Sequence, residues 1–213
     1  MKTRRSVLDP LKDARQAYVL INIVYYGLIV VSMAYTAFDH SLHDALMTAV
    51  SESLSQGPLA PVLEAYTAHR VLAAIGLTVG INLAVGSFVS ITLPSLIIPF
   101  SGLLMAAFRA LTWGVLFSPQ IGEGLAPGEL VTGLLLGVLV LLEGQGYVLA
   151  ALAAYVQGKA FLRPRTVGKT RRPQAYWHGL KESARIYVLV ALVLLVAAVY
   201  EVLIALVALP ALL

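Results

Sequence analysis

Three ionisable side chains, Arg109, Glu143 and Glu201, interrupt long apolar runs, and Asn82 does the same without a charge. An ionisable group at the centre of a membrane-spanning helix costs about 2.5–3.5 kcal/mol on insertion scales. It therefore faces a bundle interior or water, and marks a proton site, an ion pair or a polar route. The chemistry open to these four is narrow. Two carboxyls can take up and release protons, an arginine can neutralise a carboxylate, and an asparagine amide can bridge either. Their plainer role is hydrogen bonding between helices, worth about 0.6 kcal/mol per contact on average. No catalytic set is visible, since the chain has neither H-E-x-x-H nor G-x-S-x-G.

The runs that hold these residues define the class of protein. The chain has 213 residues, 59% hydrophobic and 12% charged, with mean hydropathy +0.85. Soluble domains carry about 25% charged residues, so roughly half the charge needed to cover a soluble surface is missing. That excludes a soluble globular domain, a disordered tail and a nucleic-acid-binding module. It predicts an all-α polytopic membrane protein, a single integral membrane domain over 1–213. The lack of cysteine excludes disulfides and thiolate metal sites.

A hydrocarbon core about 30 Å thick needs roughly 20 apolar residues per helix. Five stretches meet that length, over about 18–38, 71–93, 95–118, 130–157 and 186–209, and predict a bundle of five transmembrane helices. Charge gives the expected orientation. Lys2, Arg4, Arg5, Lys12 and Arg15 precede the first span, and Lys159, Arg163, Arg165, Lys169, Arg171, Arg172, Lys181 and Arg185 lie between the fourth and fifth. With five spans both segments fall on the cytoplasmic side of a cell membrane, which puts the N-terminus inside and the C-terminus outside. The opposite loops carry Asp39, Asp44, Glu52, Glu64, Glu123 and Glu129 against Arg70. The first span is longer than the apolar core of a signal peptide and no small-x-small site follows it, as expected of an uncleaved anchor. From Ser41 to Gln56, Leu42, Ala45, Leu46, Ala49, Val50 and Leu54 recur at helical spacing, and Gly57-Pro58 ends the run. This predicts an amphipathic helix at the outer interface. His178–Arg185 predicts a short polar helix leading into the fifth span, with Tyr176 and Trp177 at headgroup level.

Arg109 lies nine residues before Ser118 and Glu201 eight before Leu209, the outer ends of their spans. Both therefore sit on the order of 12–14 Å into the membrane, and an Arg109–Glu201 ion pair is expected. Asn82 and Glu143, 12 residues past Arg70 and 14 past Glu129, define a second level near mid-membrane, with Gln145 within a turn. Gly76-x-x-x-Gly80, Gly133-x-x-x-Gly137 and Gly144 mark expected helix packing. Pro94 and Pro99 allow a bent entry into the third span. Gly168-Lys169-Thr170 resembles the end of a phosphate loop, but Arg163 stands where the first glycine is needed. Asp39, His40, His43 and Asp44 have metal-donor side chains, yet loop histidines beside aspartates are more often solvated, and neither metal nor cofactor is expected. Arg163, Arg165, Lys169, Arg171 and Arg172 form a basic loop facing lipid headgroups, each attraction worth about 1 kcal/mol.

Asn82 with its apolar run, Gly144 followed by Gly158 at a spacing of 14, the basic exit Lys159–Pro164, and Trp177–Tyr200 with Ala197-Ala198 before Glu201 together form one pattern. Over about Asn82–Leu209 it resembles the stage II sporulation protein M family of small membrane proteins. Where that family often has Pro-His-Gly with a glutamate three residues on, this chain has Leu142-Glu143-Gly144 and then Tyr147, so the histidine's role does not carry over. The resemblance implies a five-span scaffold that recruits partners, in that family cell-wall hydrolases during spore engulfment. The expectation is a non-enzymatic scaffold or subunit of a membrane complex, with the bilayer and other membrane proteins or a second copy as partners and no nucleic acid. The alternative is a transporter or channel component with Asn82, Arg109, Glu143 and Glu201 lining a polar route. A common water-accessible site for the four would favour the alternative, and packing in separate pairs would favour the scaffold.

Overall fold

The computed structural model describes residues 6–38, 41–119 and 127–208. Lys2, Arg4, Arg5, Asp39, His40, Glu123 and Leu209 lie outside the described residues. All regular structure among the described residues is helical. A short α1 (Asp9–Asp13) leads into α2 (Arg15–Thr36), followed by α3 (Ser41–Ser55) and α4 (Ala60–Thr67). Next come α5 (Val71–Ile97), α6 (Ser101–Leu116), α7 (Pro127–Leu162) and α8 (Arg172–Val207). Four of these, α2, α5, α7 and α8, are long and apolar enough to cross a membrane.

The expected third span, 95–118, is the one that differs. Proline disfavours helical geometry in the residue before it, and Ile98, before Pro99, is extended at φ −114°, ψ 104°. Phe100 then takes a left-handed φ of 71°. Residues Leu93–Ile97 consequently continue α5, and the helix restarts only at Ser101, leaving α6 with 16 residues, about 24 Å of rise. The bend is tightened by Gly102, whose N–H donates to Ser95 Oγ at 2.7 Å. A Cβ on Gly102 would lie 2.2 Å from the Ile91 carbonyl oxygen, so only glycine lets α5 and α6 approach here. The other early difference is at α8, where the expected polar helix His178–Arg185 and the fifth span are one continuous helix.

The core forms around α7. Residues Tyr147–Ala154 are buried on every side, as suits a helix apolar all round. α8 packs along it, with α2, α5 and α6 on its other sides. α6 starts where Phe100 lies 5.8 Å from the Tyr155 ring and ends where Ser118 donates to the Met33 carbonyl at 2.9 Å. Where α6 crosses α2, a Cβ on Gly114 would lie 1.9 Å from Ser32 Oγ. The expected packing glycines Gly76, Gly80, Gly133 and Gly137 have nothing within 4 Å of an added Cβ. The reason on α5 is rotational: Ala74 and Thr78 face inward, and two residues further on is the opposite side at 3.6 residues per turn. Gly144 does lie in a contact, its added Cβ 2.9 Å from Tyr26 Oη. α3 buries no residue. α4 folds back on α5 through a left-handed His69 (φ 54°), and Ala65, Ala74 and Val202 form a small second core.

Candidate functional site

Glu143 is buried, 5% exposed, on the face of α7 turned toward α5 and α8. Its Oε1 accepts a 3.0 Å hydrogen bond from Asn82 Nδ2. Asn82 stands at the start of a widened stretch of α5, Ile81–Thr92, with π-type turns. The Ser87 hydroxyl donates to the Asn82 carbonyl five residues back at 2.9 Å, a spacing that belongs to the wider coil. Such stretches are rare and concentrate at functional sites.

Tyr147 lies one turn beyond Glu143 and is fully buried. Its hydroxyl donates to Asn82 Oδ1 at 2.9 Å and lies 3.5 Å from Glu143 Oε2. Arg109 Nη2 donates to the same hydroxyl at 2.7 Å, while the guanidinium carbon sits 3.9 Å from the Tyr147 ring centroid and 5.9 Å from that of Trp113. Cation–π contact of this kind steadies a poorly hydrated arginine. Arg109 thus turns to Tyr147, and the expected Arg109–Glu201 ion pair is not formed.

Glu201 instead reaches the other carboxyl. It is an electrostatic neighbour of Glu143 and of Tyr66 on α4. The Tyr66 hydroxyl is in turn 3.5 Å from Thr78 Oγ1. Tyr66 lies outside the spans, and burial, then the neighbouring Glu201, pushes its phenol well above the ordinary value, so it remains a proton donor. An ionised carboxylate only accepts hydrogen bonds, so Asn82 Nδ2 is the donor that serves Glu143, and Arg109 brings a positive charge to the cluster. Two atoms beside it, Arg109 Nε and Tyr25 Oη, are buried without a hydrogen-bond partner.

Asn82, Arg109 and Glu143 therefore meet in one hydrogen-bonded cluster through Tyr147, with Glu201 as its electrostatic neighbour. Sequence reasoning passed over Tyr147, Tyr66 and Thr78. Tyr147 follows Glu143 by four residues, the spacing that puts two side chains on one helix face, and that signal was available. Tyr66 had none, because its approach depends on the turn at His69.

A second polar group surrounds Gln145. Its Oε1 accepts from Tyr18 Oη at 2.7 Å, and its Nε2 donates to Asn22 Oδ1 at 2.6 Å and Tyr26 Oη at 3.0 Å. The basic loop closes through a 3₁₀ turn, Pro164–Val167. Arg163, Arg165, Arg171 and Arg172 are exposed, and Lys169 is half-buried. His43 Nδ1 lies 3.0 Å from the Val115 carbonyl and ties α3 to α6. Among the described residues no group of three or more acidic or histidine side chains could hold a metal.

The class defined by this fold is an all-helical chain with several helices long and apolar enough to cross a membrane. No protein-family model, no curated protein and no solved structure matches it.

Proposed function

We propose that the chain is a five-span membrane protein that handles protons, a component of a transporter or channel whose intramembrane step falls to Glu143 and Glu201. The observation that carries this reading is the buried Glu143, bonded to Asn82 and through it to Tyr147 and Arg109, with Glu201 as its neighbouring acid. Two neighbouring buried carboxyls can take up and release protons. Either change alters the charge facing Arg109 and the bonds that join α5, α6, α7 and α8. In this reading α6 supplies the fifth crossing, from the level of Tyr155 to that of Met33. The basic segments then lie inside the cell, with the C-terminus outside.

Proton entry into vesicles containing the purified chain, driven by a potassium diffusion potential and read with an internal pH dye, tests the reading. The expected result is flux above protein-free vesicles that falls at least tenfold in Glu143→Gln and in Glu201→Gln. Wild-type flux equal to protein-free vesicles overturns it.

A second reading, a non-enzymatic scaffold for a membrane complex, is favoured by one observation. Gly76, Gly80, Gly133 and Gly137 are exposed with nothing within 4 Å of an added Cβ, and small faces of this kind admit a partner helix closely. The resemblance to the stage II sporulation protein M family belongs to this reading and rests on the sequence pattern alone.

A further inference from the structure

The polar cluster makes no use of the lipid-facing side of α8. Trp177, Lys181, Ala184, Val188, Leu192 and Leu195 recur every three or four residues and are all exposed, one continuous stripe of the helix. Below Lys181 the stripe forms one wall of an apolar groove of about 760 Å³, with Val79, Leu83 and Phe88 of α5 on the other wall. The floor is Tyr187, whose hydroxyl lies 2.5 Å from Thr92 Oγ1 and whose ring meets Phe88 edge-on at 6.0 Å. The two helices touch at both ends of the groove, Ala74 against Val202 and Tyr176 Oη donating to the Leu96 carbonyl at 3.4 Å. Between those contacts the groove opens outward over Tyr187.

From Ala184 to Leu195 the groove runs roughly 16 Å, about half the ~30 Å hydrocarbon thickness and so the depth of one leaflet's tails. Only the Lys181 end carries charge, and that charge is positive. The neighbouring acid, Glu182, is buried on another face and paired with Arg185. Trp177 stands one turn above Lys181, where an amphipathic ring suits the headgroup level. The exposed arginines of the basic loop add positive charge at the same end of α8.

We propose that this groove holds one tail of an anionic phospholipid from the leaflet beside the basic loop, with the lipid phosphate against Lys181. The tail fills the gap between α5 and α8, and Tyr187 closes its floor by bonding Thr92 instead of facing lipid with a bare hydroxyl. The proposal is independent of proton handling.

The test incorporates the full chain into bilayers of equal phosphatidylglycerol and phosphatidylcholine, extracts it in mild detergent, and counts retained lipids by native mass spectrometry. Wild type is expected to keep phosphatidylglycerol over phosphatidylcholine by at least fivefold. Lys181→Glu removes that preference, and Leu192→Trp fills the groove and lowers retention of both lipids. Both α8 positions are exposed, and circular dichroism confirms that the variants stay folded. Equal retention of the two lipids by wild type, or an unchanged preference in Lys181→Glu, overturns the proposal.

Discussion

Glu143 and Gln145 stand two residues apart on α7 and face different company. Gln145 meets only α2: Tyr18, Asn22 and Tyr26 satisfy its amide at 2.6–3.0 Å. Asn22 Nδ2 in turn donates to the Tyr18 carbonyl at 2.8 Å, and Tyr26 Oη to the Leu141 carbonyl at 2.9 Å. That group is neutral and closed. Glu143 gathers side chains from α4, α5, α6 and α8, including an arginine and a second carboxyl, and leaves Arg109 Nε and Tyr25 Oη unpartnered. A saturated neutral network behaves as a clamp. A charged network with orphaned buried atoms is the kind whose exceptions call for an explanation. Polar content inside a membrane bundle is thus a poor guide to function, and the state of saturation is a better one.

The largest effect should come from Arg109→Leu, which removes the positive charge nearest the buried Glu143 and the donor to Tyr147. Leaving a buried acid without a nearby opposite charge is costly, up to about 3–5 kcal/mol for a true ion pair, and denaturant unfolding in detergent micelles should show a loss toward that size. Adding Glu143→Gln removes that acid and should restore most of the stability. A loss under about 1 kcal/mol for Arg109→Leu, the scale of an ordinary interhelical hydrogen bond, would mean the two groups are alike and would end the contrast.

Much of the fold was legible because apolar length reports helices directly. The runs around Ile29, Val79, Leu149 and Val193 all became long helices. The Pro99 break was harder, since hydropathy is blind to Ile98 becoming extended, and the residues it cost α6 were assigned to a span. The site was half legible. Asn82, Arg109, Glu143 and Glu201 stand out because charge and amide are rare in such runs, but depth along a helix says nothing of rotation about it. Arg109 and Glu201 share a level, yet Arg109 turns to an aromatic ring and Glu201 to another acid. The glycine pairs at 76/80 and 133/137 failed for the same reason: their spacing fits helix contact, but their faces look outward.

Gly86 offers an intermediate effect, because it is where α5 makes room for the cluster. A Cβ there would lie 3.2 Å from Arg109 Nη2 and from Tyr147 Cε1, and 3.3 Å from Tyr147 Oη. Gly86→Ala should therefore cost about 1–3 kcal/mol, the range for overpacking, and should lower proton flux by displacing Tyr147. Gly76→Ala, six residues before the Asn82 level with nothing within 4 Å, should stay within about 0.5 kcal/mol of wild type. Equal effects at the two glycines would show that the tightness at Gly86 is not what holds Arg109 on Tyr147.

The smallest effect should fall on the closed group. Gln145→Leu removes three hydrogen bonds between α2 and α7, together worth about 2 kcal/mol at the average for such contacts. The actual loss should be smaller. Asn22 and Tyr26 keep their bonds to backbone carbonyls, and leucine fills a similar volume at a half-exposed position. Unfolding in micelles should report a loss of about 1 kcal/mol, and flux should stay within twofold of wild type because no charged group has changed partners. Loss of flux with little loss of stability would be the instructive failure. It would mean that the clamp on α2 sets the rotation of α7, so that Glu143 reaches Glu201 only while Gln145 is held, and the two groups would then be one site read from opposite sides of a helix.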